Sequence, residues 1–167
     1  GGGLAVPLAE PSNDTSPRDG NSMLVALIGE VAPCTAPAGF EVRDAAGRAI
    51  GEIDDFLATL VSGSAGASSA RSYAQALMRW WRFLAAIDVA WDAAGGMEVR
   101  DFVLWMRFVA RPRLTAAGAT VGYAPATINH NLAVMKGFYA YRMEAGHGPL
   151  AHPVPTSERR PGRRSAT

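Results

Sequence analysis

The sequence has a single cysteine, Cys34, and no long hydrophobic run near its amino terminus. One cysteine cannot form an internal disulfide, and no other cysteine or histidine lies at a metal-ligand spacing from it. The longest apolar run near the start, residues 23–28, is six residues, which is too short for a membrane span or a signal-peptide core. These absences predict a cytoplasmic protein without a structural metal, a disulfide or a membrane span.

The sequence also has only one lysine, Lys136, among its 16 lysine and arginine residues. The charges are unevenly distributed along the chain. Residues 1–70 carry three bases against nine acids, a net charge of −6, whereas residues 71–167 carry thirteen bases against six acids, a net charge of +7. A positive half suggests a polyanion as partner, although four of its arginines lie in a basic tail after residue 158.

The first third of the chain is predicted to be mostly irregular. Residues 1–22 are rich in glycine, proline and small polar side chains, a composition typical of disorder. Residues 23–31 are apolar and favour a short strand. Residues 39–50 alternate between apolar and polar positions and then carry turn formers, which allows a small hairpin. We therefore predict that residues 1–51 form a flexible extension.

Two amphipathic helices are predicted next. The first covers Ile53–Val61, where apolar residues recur at a helical spacing. The second follows a joint rich in serine and glycine and covers Ser69–Ile87, with the Ser69 hydroxyl as its N-cap. Five apolar residues of the second helix are spaced by three or four positions, and they form its predicted core face: Tyr73, Leu77, Trp80, Leu84 and Ile87.

The opposite face of the second helix is cationic. It carries Arg71, Gln75, Met78, Arg79 and Arg82. The guanidinium and amide groups have donors that could reach phosphates and base edges of a nucleic acid. A solvated surface is the alternative explanation, since helices usually keep their charges outside.

A third helix is predicted from Glu98 to Ala110, with Pro112 ending it. Residues 113–123 contain two glycines and are predicted to form a mobile surface loop. The predicted core residues of the third helix are Val99, Phe102, Val103, Met106 and Val109.

A fourth helix is predicted between Pro125 and Gly146, because proline suits the first helical turn and glycine suits the stop. Small residues on its far side would let another surface come close. The alternatives are a helix packed on both sides, or a histidine at position 130 that is merely solvated. Its predicted core face carries Ile128, Leu132, Met135, Tyr139 and Met143. The polar residues of the far side and its two flanks are Thr127, Asn129, His130, Asn131 and Lys136.

The end of the chain is predicted to be an irregular tail. Prolines extend residues 147–155, and residues 156–167 contain too few apolar side chains to fold. We therefore predict an all-α protein in three parts. The parts are the extension at 1–51, a helical domain at 52–146 and a disordered tail, rich in proline and arginine, at 147–167.

Three strings in the helical part carry a family resemblance. They are SARSYAQALMRWWRFL, EVRDFVLWMRFV and YAPATINHNLAVMKGFYAYRMEAGHGPLAHPVP. In this order they resemble the amino-terminal core-binding domain of tyrosine recombinases, the phage-integrase family. The resemblance covers about residues 53–155. Its most specific piece is PATINHNLAVMKGFYAY, followed by a glycine and a proline-bearing exit.

The resemblance implies a four-helix, SAM-like bundle that forms half of a clamp around double-stranded DNA during DNA integration or recombination. Other recombinase subunits would be its neighbours on the DNA. The second and fourth helices would face the major groove. Met78 and Val134 depart from this pattern, because they are apolar where a DNA-facing surface favours polar residues. The positions that would face DNA are Arg71, Gln75, Arg79, Arg82, Thr127, His130, Asn131 and Lys136.

The chemistry of that family requires an arginine, a His-x-x-Arg motif and a late tyrosine. The sequence contains no His-x-x-Arg and no tyrosine after Tyr141. The resemblance therefore implies a DNA-binding module that is not itself an enzyme and takes no cofactor or small-molecule ligand. The alternative is a helical protein-interaction domain without DNA-binding activity, in which an exposed tryptophan would anchor a partner. Its candidate anchors are Trp80, Trp81, Trp91 and Trp105.

Overall fold

The computed structural model describes residues 25–35, 37–63, 67–108, 112–115 and 118–155. This part of the chain is mostly helical and also contains two short antiparallel hairpins. The predicted helices are therefore confirmed, whereas the chain is not purely helical. The elements in order are β1 (Glu30–Pro33), β2 (Phe40–Arg43), α1 (Gly51–Ser62), α2 (Ala67–Ile87), a 3-10 turn (Trp91–Ala93), α3 (Gly96–Phe108), β3 (Pro112–Thr115), β4 (Gly118–Val121) and α4 (Pro125–Glu144).

Helix α2 lies at the centre, with α1, α3, α4 and the β1–β2 hairpin packed around it. Its predicted core face is confirmed, because Leu77, Trp80 and Leu84 are buried and the two ends of the stripe are partly buried against the same core. The Trp80 indole donates a hydrogen bond of 3.0 Å to the Tyr139 hydroxyl, which donates one of 2.6 Å to the Trp91 carbonyl oxygen. Aromatic burial and this chain of hydrogen bonds join α2 to α4.

The first three helices each begin two residues earlier than predicted, and α1 begins at Gly51 instead of Ile53. Helix α2 begins at Ala67, so Ser69 lies inside the helix and the prediction that it is the N-cap is wrong. Helix α3 begins at Gly96 and not at Glu98. The Glu98 carboxylate instead accepts a hydrogen bond of 2.8 Å from the Gly95 backbone N–H. This contact satisfies a donor at the helix start, which is the role that a glutamate in the first turn commonly takes.

Both predicted ends of α4 are confirmed. Pro125 occupies the first turn, and the chain leaves the helix through Gly146 at φ +81°. The Gly146 N–H donates to the Met143 carbonyl, and the His147 N–H donates to the Arg142 carbonyl. This pair of hydrogen bonds is a Schellman motif, which favours glycine because the position requires a left-handed backbone.

The β1–β2 hairpin belongs to the same hydrophobic core as the helices. Val31 pairs with Val42 in its register, and Val42 has no exposed surface. Ala38 and Ile50 are also buried in that core, and the Val42 N–H donates to the Asp54 carboxylate of α1. The predicted domain boundary at residue 52 therefore does not separate two hydrophobic cores. Apolar side chains before it belong to the same core as those of the helices. The predicted disordered lead at 1–22 lies outside the described residues.

The observed strands differ from the predicted ones in their bounds and in their pairing. The apolar residues 25–28 are not a strand, and β1 begins only at Glu30. The turn after β2 does form, because the Asp44 carboxylate accepts hydrogen bonds from the N–H groups of Ala46 and Arg48. It closes on a single bridge between Arg43 and Ala49, so β1 is the main partner of β2.

The predicted loop at 113–123 contains a hairpin, because β3 pairs with β4. The chain leaves it through Gly122, at φ +89°, where a Cβ atom would clash with the Arg107 carbonyl. The Tyr123 N–H then donates to the Met106 carbonyl at 2.7 Å. The sequence predicts a loop here because of its two glycines. In the structure, Gly118 lies within β4, and Gly122 makes this close approach possible.

Residues 147–155 fold back onto α4. Pro153 and Val154 are buried, and Val154 belongs to the core. The His152 ring shares a hydrogen bond of 3.1 Å with the Lys136 carbonyl. The predicted tail therefore begins too early, because this segment packs on the helices. Residues 156–167 lie outside the described part. Among the described helices, none has the length and apolarity needed to cross a membrane.

Candidate nucleic-acid interface

A groove of about 320 Å³ runs between α2 and the first turns of α4. Its α2 wall has residues spaced by three and four positions, which is the spacing of one helical face. We call it the α2–α4 groove. It is lined by Ser72, Gln75, Arg79, Ala126, Thr127 and His130. Four of the eight residues predicted to face DNA therefore lie together on one surface.

His130 is half-buried and lines this groove. Its Nε2 atom lies 2.7 Å from the Ser72 Oγ in a hydrogen bond, and its ring meets the Tyr73 ring edge-on, with centroids 5.7 Å apart. The hydrogen bond and the aromatic contact hold the imidazole in one orientation. Sequence reasoning missed Ser72, although Ser72, Gln75 and Arg79 share the i, i+3, i+7 spacing of one face.

Arg79 is held in position from two sides. Its guanidinium donates a hydrogen bond of 3.2 Å to the Asn131 side-chain oxygen and lies 5.0 Å from the centroid of the Tyr123 ring. The cation–π contact and the hydrogen bond from the planar guanidinium both restrict rotation of the side chain. Arg79 is thus oriented before any ligand arrives. The sequence does not predict Tyr123 as part of the site, because Tyr123 lies outside the predicted amphipathic helices.

Asn131 is fully buried, so the prediction that it faces DNA is wrong for this structure. Its amide nitrogen donates to the Ala76 carbonyl at 3.1 Å, and its oxygen accepts from Arg79. Val134, one turn along α4, is also buried. The alternative interpretation of α4, a helix packed on both sides, therefore holds at these two positions. Asn131 supports the site through Arg79.

Arg82 does not extend the predicted cationic stripe. Its guanidinium donates hydrogen bonds of 2.7 and 3.1 Å to the carbonyl oxygens of Ile28 and Gly29. Burial lowers the pKa of Arg82 below its ordinary value. Met78 is buried beside Gly29, where a Cβ atom would lie 3.0 Å from the Met78 Cε. The chain before β1 therefore covers this part of the α2 face.

The two remaining predicted residues lie at other places on the surface. Arg71 is exposed one turn before Gln75, and its guanidinium lies 5.8 Å from the Phe40 ring centroid. Lys136 is exposed on the flank of α4 that faces α3, where it lines a different groove with Arg100. The α2–α4 groove can thus be extended by Arg71 and does not include Lys136.

The electrostatics of the α2–α4 groove favour an anion. Among the described residues that line it, none is acidic, and Arg79 contributes a full positive charge. The first turn of α4 also lies in the groove, and Ala124 at its N-cap offers no side-chain acceptor. The positive end of the helix dipole therefore adds to the charge of Arg79. In the described part of the chain, no three or more histidine, cysteine or acidic residues are grouped to hold a metal ion.

Known proteins add no evidence about the role of this groove. No family model, no curated protein and no solved structure matches the chain. The resemblance to the core-binding domain of tyrosine recombinases therefore depends on the quoted strings and on the order of the helices.

Proposed function

We propose that the chain is a DNA-binding module of the core-binding type found in tyrosine recombinases, and that it grips duplex DNA through the α2–α4 groove. The observation that carries this proposal is the convergence of Gln75, Arg79, Thr127 and His130 from two helices on one surface, where none of the described lining residues is acidic. Arginine and amide side chains are the residues that read base edges, and hydroxyl groups and helix amino termini contact phosphates.

The contact set proposed from the structure is narrower than the one proposed from the sequence. It consists of Arg71, Gln75, Arg79, Thr127 and His130, whose side chains are exposed or half-buried. Arg82 and Asn131 act within the fold, since their polar atoms are engaged by other parts of the chain. Lys136 lies on the opposite flank of α4 from His130.

The proposed role is binding without catalysis, in DNA integration or recombination, with other recombinase subunits as neighbours on the DNA. The Tyr139 hydroxyl is an unsuitable nucleophile, because it is buried and donates its proton to a backbone carbonyl. Burial raises the pKa of Tyr139 well above its ordinary value, so the reactive phenolate is disfavoured. The module requires no cofactor or small molecule.

A titration of labelled duplex DNA at several salt concentrations tests the proposal. The logarithm of the binding constant should fall with the logarithm of salt by about 0.9 per phosphate neutralised, and Arg79→Gln should lower that slope by about one. Arg71→Gln should act in the same way. His130→Ala should instead relax sequence preference, because a side chain in the groove would contact bases more than phosphates.

Two controls make the result decisive. Arg107→Gln removes an exposed arginine outside the groove and should leave the slope unchanged. Replacing Arg159, Arg160, Arg163 and Arg164 with glutamine measures what the basic tail contributes. If the Arg71→Gln, Arg79→Gln double variant binds as tightly as the parent, the groove is not the DNA site. Binding that is insensitive to salt would favour the alternative, a protein-interaction domain.

A further inference from the structure

A second groove, of about 470 Å³, lies between α3 and α4 on the opposite flank of α4 from the first. We call it the α3–α4 groove. Its floor and walls are mainly apolar, formed by Val99, Val103 and Leu104 of α3 and by Leu132 and Ala133 of α4. Val154 closes one side from the segment that folds back after α4. An open apolar groove of this size is typical of a binding site.

An exposed apolar row continues from this groove along α3. Leu104 lines the groove and is 42% exposed, while Met97 and Phe108 are 75% and 53% exposed. Their spacings of seven and four residues place all three on one side of the helix. Large apolar side chains that are exposed together on one face mark an interaction surface, whereas single ones do not.

The rim of the groove is positively charged on both walls. Arg100 stands on the α3 wall and Lys136 on the α4 wall, and both are exposed. In the described part of the chain, the ion pairs involve Arg43 and Arg142, and none involves either of these two residues. A ligand in the groove would therefore meet a cation at each edge, which suits carboxylates on both sides of an apolar centre.

We propose that the α3–α4 groove docks a protein segment that carries large apolar side chains flanked by carboxylates. Such a segment would place its apolar side chains on Val103 and Leu132 and its acids against Arg100 and Lys136. A nucleic acid suits this surface less well, because phosphates and base edges would lose water against an apolar floor that offers no hydrogen bonds. The groove takes its α4 residues from a different flank than the α2–α4 groove does, so this partner and DNA can be bound at the same time.

The test uses the full chain and a library of short random peptides displayed on phage. We expect selection of peptides that combine leucine, isoleucine, phenylalanine or methionine with aspartate or glutamate. A labelled synthetic peptide of the selected sequence is then titrated by fluorescence anisotropy. Leu104→Ser and Arg100→Glu should each weaken its binding by about tenfold or more. Leu150→Ser is the matched control, because Leu150 is a fully exposed leucine outside the groove.

Several results would overturn the proposal. One is the absence of selected peptides, and another is a selected peptide that binds the Leu104→Ser and Arg100→Glu variants as it binds the parent. If the chain self-associates in sedimentation and Leu104→Ser abolishes this, the groove holds a second copy instead. If Arg100→Glu with Lys136→Glu weakens duplex DNA binding as strongly as Arg79→Gln does, the groove belongs to the DNA surface. The two charge variants alter exposed side chains only, so they test the groove even if Leu104→Ser fails to fold.

Discussion

Asn131 on α4 accepts a hydrogen bond from the Arg79 guanidinium of α2 at 3.2 Å, although its own side chain is fully buried. The other end of the same amide donates to the Ala76 carbonyl, one helical turn before Arg79. One buried side chain thus links the two helices and orients the arginine in the groove between them. The neighbouring Tyr123 ring supports the same guanidinium from another side.

Replacing Asn131 with alanine should both destabilise the fold and weaken DNA binding. The substitution removes the side-chain hydrogen bond to the Ala76 carbonyl and frees Arg79, at a cost of about 1–3 kcal/mol in the free energy of unfolding. Urea denaturation measures this cost, and the DNA titration measures the loss of orientation. Asn129→Ala is the control, because Asn129 is exposed on the same helix. Equal stability of the two variants would show that the buried amide contributes nothing.

Arg82→Ala should destabilise the β1–β2 hairpin without changing the salt dependence of DNA binding. The Arg82 guanidinium holds the Ile28 and Gly29 carbonyls, so its loss should cost about 1–3 kcal/mol and increase hydrogen exchange in β1 and β2. Arg107→Ala is the control and should leave exchange there nearly unchanged, since Arg107 is exposed on α3. A fall of about one in the salt slope for Arg82→Ala would instead indicate a phosphate contact.

Leu77→Ala should be among the most damaging substitutions in the core. Leu77 has no exposed surface at the centre of α2, and such a truncation costs about 2–5 kcal/mol. Leu132→Ala should cost less, because Leu132 is only partly buried beside the α3–α4 groove. Thermal and urea unfolding of both variants give the comparison. A larger loss for Leu132→Ala would mean that the hydrophobic centre lies nearer to α3.

Gly122→Ala and Gly47→Ala separate steric crowding from backbone strain. Both glycines have positive φ, at +89° and +78°, so alanine pays a conformational penalty of about 1–2 kcal/mol at either position. At Gly47 the added Cβ would meet no atom within 4 Å, whereas at Gly122 it would clash with the Arg107 carbonyl. The Gly122 variant should therefore lose clearly more stability in urea denaturation. Equal losses would show that the chain around Gly122 shifts at little cost.

The helices could be predicted from the sequence because their signals are local. The three-and-four spacing of α2 identifies its buried stripe, and Pro125 and Gly146 mark the two ends of α4 through backbone geometry alone. The same spacing placed Gln75 and Arg79 on one face. Helical periodicity is a property of neighbouring residues, so it does not depend on the rest of the fold.

Tertiary structure decided which polar residues remain available to a ligand. Arg82 and Asn131 have the same sequence signals as Arg79 and His130, yet one binds carbonyls of the chain before β1 and the other joins α4 to α2. These partners lie 54 and 55 positions away in the chain, beyond any local pattern. The return of Val154 to the core depends in the same way on surfaces that exist only after the helices have packed. Burial and long-range hydrogen bonding, which spacing cannot encode, therefore determined the final shape of the candidate site.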